Sequence, residues 1–130
     1  MSLNYRDKLA IEGEFGTHYD LPFLPASDAA GTITARGSNA HRFKVGDRVT
    51  TTFSPKWLRG KFRAGDEWPT LGLPLPGVLS EYVLVDESGA LKTPEYLSDA
   101  EASTLPIAAV TAWSALFERC QLQPGDTVLV

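Results

Sequence analysis

Apolar and polar positions along the chain change period several times, and each change predicts an element. The runs Ala29–Ala35 (AAGTITA) and Arg48–Phe53 (RVTTTF) are short, rich in β-branched residues and bounded by turn formers, which predicts antiparallel strands. Gly37-Ser38-Asn39 supplies one turn between them and Val45-Gly46-Asp47 a tighter one, with Gly46 free to take a positive φ. Leu79–Val85 (LSEYVLV) predicts a further strand, though its alternation is imperfect, and Ala90-Leu91-Lys92 a short one. Ahead of these, Tyr5–Ile11 predicts a short helix or turn that Gly13 and Gly16 end, followed by a loop through Pro22 and Pro25. Residues 54–77, punctuated by Pro55, Gly60, Gly65, Pro69 and Gly72, read as a long irregular lobe.

The carboxy-terminal third is helical in pattern. Ser98-Asp99-Ala100-Glu101 has capping-box spacing, a hydroxyl followed three residues later by a glutamate, and predicts a helix from Asp99 to about Thr104. Pro106 interrupts it, and a second helix is expected over Ala108–Cys120, with Val110, Trp113, Ala115, Leu116 and Phe117 available for burial. Pro124-Gly125-Asp126 then turns into Thr127-Val128-Leu129-Val130, the pattern of a fully buried, parallel-type strand. Such a strand needs neighbours on both sides and helices over its faces, so the chain is expected to be a fragment of something longer.

Composition narrows the function classes. With 130 residues and 43% hydrophobic content the chain can bury the core of one domain. A formal net charge of −4 gives no general attraction to nucleic acid or an anionic membrane. The single cysteine, Cys120, supports neither a disulfide framework nor a four-cysteine zinc lobe, and its helical setting predicts a small buried side chain. No apolar run reaches membrane-spanning length, and Arg6 and Asp7 lie where a signal peptide needs apolar residues; a cytoplasmic protein is expected. His18 and His41 sit in separate loops without a second ligand at metal spacing, which predicts surface histidines. The segment Lys56–Arg63 interleaves bases with aromatics, but eight residues are too few for a nucleic-acid surface. It reads either as a cleft rim, with Trp57, Leu58 and Phe62 lining a substrate pocket, or as a plain solvated lobe.

Three stretches carry a family resemblance in order and spacing. They are Ser2-Leu3-Asn4-Tyr5-Arg6-Asp7; Leu24–Gly31 (LPASDAAG) with Phe43–Val49 (FKVGDRV); and Gly77–Tyr82 (GVLSEY) through Leu105–Trp113 (LPIAAVTAW) to Pro124–Val130 (PGDTVLV). Together they resemble the medium-chain dehydrogenase/reductase superfamily, specifically its zinc-independent, quinone-oxidoreductase-like members. The resemblance implies a mainly β fold with short helices: a GroES-like β-barrel domain of an α/β enzyme, cut after the first strand of its Rossmann domain. Residues 1–124 would be the substrate domain, incomplete at its amino end, and 125–130 that first strand. The glycine-rich loop that would cradle a cofactor pyrophosphate would follow.

The resemblance also assigns candidate roles. The positions at which zinc-dependent relatives hold their metal fall on Asn4, Ser27 and Ile107, an amide, a hydroxyl and a side chain with no donor atom. Catalytic zinc is therefore not expected. The implied activity is hydride transfer from NADPH or NADH, bound mainly by the Rossmann domain, to a quinone, enone or similar small carbonyl compound, in the parent protein rather than in this piece. Asn4 would hold a carbonyl or carboxamide oxygen, Tyr5 would donate to the developing enolate, and Thr111 would face the nicotinamide. For each a purely structural role stays open: Tyr5 as a packed aromatic, Thr111 as a hydroxyl bonded to the preceding turn, and Asp7, beside Arg6, as half of a structural pair instead of an acid catalyst. Asp28 is expected to tie down cleft backbone. A non-catalytic GroES-like binding module and a zinc-free alcohol dehydrogenase working oxidatively remain alternatives. The family implies a homodimer of the full-length protein.

Overall fold

A computed structural model describes residues 1–15, 21–61, 63, 65 and 67–129. Gly16, His18, Phe62 and Val130, each given a role above, lie outside them. The first element is helix α1 (Tyr5–Glu12), and its boundaries follow from its ends. The Asp7 carboxylate accepts from the Asn4 backbone N–H at 2.8 Å, filling a donor at the exposed start of the helix. Gly13 at φ +75° closes the other end in the left-handed conformation that glycine takes freely.

Three short strands follow: β1 (Ala30–Thr32), β2 (Arg48–Thr51) and β3 (Ala90–Lys92). They form one antiparallel sheet in the order β1-β2-β3, with Gly31 opposite Val49 and Thr50 opposite Leu91. The sequence located all three, and the Val45-Gly46-Asp47 turn is present with Gly46 at φ +94°. Arg48 at the start of β2 reaches Asp99 at 2.6 and 2.9 Å and the Leu97 carbonyl at 2.6 Å, tying the sheet to helix α2 (Asp99–Ala102). That helix carries the expected capping box: Ser98 Oγ accepts from Glu101 N–H at 3.2 Å, and Glu101 accepts from Ser98 N–H at 2.8 Å. A helical run follows, made of a π-helical turn (Leu105–Ala109), α3 (Val110–Trp113) and a second π-helical stretch (Ser114–Arg119). Pro106 lies at its start, where its missing N–H leaves no acceptor wanting.

The core is small. Ala26, Leu71 and Val78 are buried together, with Ala29 and Leu75 packed against them. They meet because the loop before β1 and the segment after the lobe run side by side, with Gly77, Val78 and Leu79 N–H groups donating to the carbonyls of residues 24–26.

Four expectations are corrected. Leu79–Val85 is not a strand: it has no ladder partner among the described residues, and Val83 and Leu84 are exposed. Strand character depends on a partner at hydrogen-bonding distance. A concavity of about 350 Å³ is lined both by Ile33 and Thr34, which continue β1, and by Tyr82 and Val83. Thr127–Leu129 likewise forms no strand, and Leu129 is 98% exposed. The helix over Ala108–Cys120 exists, but of the side chains offered for burial only Leu116 is partly covered, Val110, Trp113 and Phe117 being 47–60% exposed and Ala115 exposed. An amphipathic pattern identifies the apolar face and not what lies over it. Cys120, at the end of the same run, is exposed for the same reason. No helix among the described residues is long and apolar enough to cross a membrane.

Candidate functional site around Asp28

The loop entering β1 holds an uncommon backbone. Ala26 adopts φ +68° while 1% exposed, a left-handed conformation that non-glycine residues rarely take and that concentrates at functional sites. This turn places Ser27 and Asp28 side by side, both completely buried.

Asp28 is the centre of the site. Its Oδ2 accepts from Asn4 Nδ2 at 2.9 Å and from the Ile107 backbone N–H at 3.2 Å. Its backbone carbonyl accepts from Ser2 N–H at 2.9 Å. The Ile107 amide lies in the first turn of the helical run, where N–H groups lack an intrahelical partner, so a carboxylate from 79 positions away serves as its cap. The other oxygen, Oδ1, is buried with no hydrogen-bond partner among the described residues. Burial foremost, with the nearby Asp7 charge adding to it, raises the Asp28 pKa from its ordinary value, while the Asn4 and Ile107 donors and Arg6 pull it down.

Ser27 belongs to a second group built around Arg6. One guanidinium nitrogen donates to Ser27 Oγ at 2.8 Å and to the Leu71 carbonyl at 3.1 Å; the other reaches Thr70 Oγ1 and the Leu73 carbonyl at 3.4 and 3.5 Å. Ser27 Oγ in turn donates to the Leu71 carbonyl at 2.8 Å. The guanidinium also stands over the rings of Phe53 and Phe15, 5.0 and 5.5 Å from their centroids. Burial lowers the Arg6 pKa, against the raising effect of Asp7 and Asp28. Arg6 and Asp7 share Ser27, whose Oγ lies 3.5 Å from Asp7 Oδ1 as well; beyond it Arg6 fastens the returning limb of the lobe and Asp7 caps α1.

The candidate residues divide on this geometry. Asn4, Asp7, Ser27, Asp28 and Ile107 are brought together. Tyr5 begins α1 next to them, 72% exposed, with the Lys8 ammonium 5.8 Å from its ring centroid. Thr111 lies in α3, one helical turn beyond Ile107, and is exposed. Trp57 and Leu58 are exposed on the lobe; Trp57 stacks on Trp68 at 4.6 Å and 9° and donates from Nε1 to the Gly60 carbonyl, contacts internal to the lobe. His41 is exposed, and its backbone N–H donates to Glu87 at 2.8 Å. The reach of Arg6 across the base of the lobe is the feature that the sequence reading missed. A long flexible side chain beside an acid gives no sign of partners 65 and 67 positions away.

Asn4 turns an N–H toward Asp28, Ser27 Oγ is engaged by Arg6 and Leu71, and Ile107 offers only a backbone amide, so none of these three positions presents the thiolate, imidazole or carboxylate that zinc sites use. Among the described residues no group of three or more His, Cys, Asp and Glu is placed to hold a metal.

The profile of the alcohol dehydrogenase GroES-like domain matches residues 1–95. A zinc-type alcohol dehydrogenase-like protein of Schizosaccharomyces pombe is 37% identical over 99% of this chain and 38% of its own length. Quinone oxidoreductase-like protein 2 of Bos taurus is 31% identical over 98% of this chain and 31% of its own length. Among solved structures, one provisionally described as an alcohol dehydrogenase of Sinorhizobium meliloti 1021 superposes with a TM-score of 0.87 at 50% identity, over 96% of this chain and 38% of the other. A second, of an NAD-dependent alcohol dehydrogenase, gives a TM-score of 0.82 at 26% identity, over 95% and 38%. The chain spans about a third of the length of the relatives it matches, and with its fold, its motifs and the match over residues 1–95 it belongs to the alcohol dehydrogenase GroES-like domain family of medium-chain dehydrogenase/reductases.

Proposed function

We propose that the protein to which this chain belongs is a zinc-independent, NADPH- or NADH-dependent oxidoreductase that reduces quinones, enones or similar small carbonyl compounds. The observation that carries the reading is that Asn4 and Ile107 are engaged by the Asp28 carboxylate and Ser27 by Arg6 and Leu71, so that none of the three offers a metal-type donor. Relatives named as quinone oxidoreductase-like support the acceptor class, and the NAD-dependent structural neighbour supports a nicotinamide cofactor.

A nicotinamide cofactor, when bound, would supply hydride to the carbon conjugated with the acceptor carbonyl. The chain's own part is to hold that acceptor and deliver a proton to its oxygen. With one Asn4 N–H committed to Asp28, the second N–H of the amide is the donor available to a substrate oxygen. The Tyr5 hydroxyl would serve as proton donor, Thr111 would face the nicotinamide, and Trp57 and Leu58 would line the acceptor's outer side. An oxidative, alcohol-consuming reaction is the second reading, favoured by the alcohol dehydrogenase name of the Schizosaccharomyces pombe relative.

The test is to assay the full-length protein, with its metal content measured, for NADPH and NADH oxidation by a simple quinone or enone and for the reverse reaction with a primary alcohol. Metal-free reduction that falls in Tyr5→Phe and Thr111→Val supports the proposal. Alcohol oxidation dependent on bound zinc, or the absence of cofactor binding, overturns it.

A further inference from the structure

The Asp28 carboxylate is an unusual object to bury in this fold. It is completely shielded from solvent, and among the described residues it makes no ion pair and one of its oxygens has no hydrogen-bond partner. Its other oxygen joins two segments that no strand or helix joins: the N-terminal edge of α1, through the Asn4 side chain, and the first turn of the helical run, through the Ile107 amide. On the proposed reading these segments carry opposite sides of the reaction, since Asn4 and Tyr5 face the acceptor and Thr111, four residues past Ile107, faces the nicotinamide.

We propose that Asp28 is a positioning residue, whose single Oδ2 atom fixes the Asn4 amide and the Thr111-bearing helix in one register and so sets the separation between acceptor and hydride donor. The inference rests on the proposed function and goes beyond it by assigning that separation to one contact. A carboxylate suits the task because it only accepts: it forces the Asn4 amide to present nitrogen inward, and it has lone pairs for a second donor on the same oxygen. An uncompensated buried acceptor is retained at a cost in stability, which a purely structural position would not require. The Ala26 backbone at φ +68° delivers the carboxylate to this spot, strain of the kind that accompanies preorganisation.

The test uses the full-length protein, with thermal melting as a check on folding. Asp28→Ala is expected to lower kcat by about tenfold or more with the acceptor KM within about threefold, because misplacement by a fraction of an ångström acts on the reacting geometry more than on binding. Asn4→Ala added to Asp28→Ala should cost less than Asn4→Ala costs in the parent, since without Asp28 the amide is already displaced from the acceptor. Asp28→Asn keeps an oxygen able to accept from both donors and should restore most of kcat with the pH profile of the parent. A kcat unchanged in Asp28→Ala, or additive losses in the double variant, overturns the proposal. Should Asp28→Ala fail to fold, Asp28→Asn decides: retained kcat and slow exchange of the Ile107 amide support the clamp, and loss of kcat in a folded protein overturns it. A protein that binds NADPH but reduces neither quinone nor enone would defeat the proposed function separately. The clamp would then be judged on NADPH affinity, weakened about fivefold or more in the folded Asp28 variant if it is right and unchanged if it is wrong.

Discussion

The Gly77 amide donates to the Leu24 carbonyl at 2.7 Å, and the approach leaves no room for a side chain. A Cβ at position 77 would fall 2.1 Å from the Pro25 carbonyl oxygen and 2.4 Å from those of Leu24 and Ala26. Those atoms are backbone and cannot swing aside. Gly77→Ala is therefore expected to destabilise the fold by about 2–3 kcal/mol, read as a lower urea midpoint. Gly37→Ala, where a Cβ meets nothing within 4 Å, should stay within about 0.5 kcal/mol of the parent. Equal effects at the two positions would refute the packing argument.

Arg6 binds the lobe through the shape of its guanidinium, with donors on both terminal nitrogens reaching Ser27, Thr70, Leu71 and Leu73. Lysine keeps the charge and loses the fork. Arg6→Lys should cost about 1.5–3 kcal/mol, the range for hydrogen bonds to a charged group, and should speed proteolysis within residues 54–77. A melting temperature equal to the parent's would show that charge alone suffices.

The capping box at Ser98 starts the four-residue helix α2, and a helix that short has little else to begin it. Ser98→Ala should cost about 1 kcal/mol, and Ser98→Asp should recover most of it. Denaturation midpoints of the three proteins decide the matter.

Two kinds of carboxylate make stability respond to pH with opposite sign. Burial above all raises the Asp28 pKa, so the native state holds that proton more tightly than the unfolded chain does. Its contribution is full below the ordinary value of 3.8 and is lost as pH rises through the raised native value. Glu101, bonded first by the Ser98 backbone and then by its hydroxyl, has a lowered pKa. Its contribution is full above 4.5 and is lost as pH falls through the lowered value. The parent's stability relative to Asp28→Asn should thus decline from acid toward neutral pH, and relative to Glu101→Gln it should decline toward acid. Chemical denaturation across the acid range gives both slopes, and a reversed sign in either comparison would contradict its assignment.

What could be read from the chain alone was whatever is encoded locally. The Ser98–Glu101 box, the positive φ at Gly46 and the end of α1 at Gly13 each need only a few adjacent residues, and each stands where expected. The family motifs were likewise legible as strings. The misreadings at Leu79–Val85 and over Val110–Phe117 arose because strand pairing and helix burial belong to partners and not to a segment. The polar centre was half visible. Asn4, Ser27, Asp28 and Ile107 could be singled out one by one, but a contact between Asp28 and an amide 79 residues later has no periodicity to announce it.

The uncovered flank of the helical run has a consequence for how this chain behaves as a solute. Val110, Trp113 and Phe117 face water along one stretch, with the Trp113 and Phe117 rings 4.6 Å apart, and apolar surface of this kind drives molecules together when nothing else covers it. The chain on its own thus behaves as a colloid with an adhesive flank. Its light scattering should climb with concentration, a hydrophobic dye should light up on the native fold, and added salt should worsen both, because screening removes the mutual repulsion of a net charge of −4 and leaves the attraction in place.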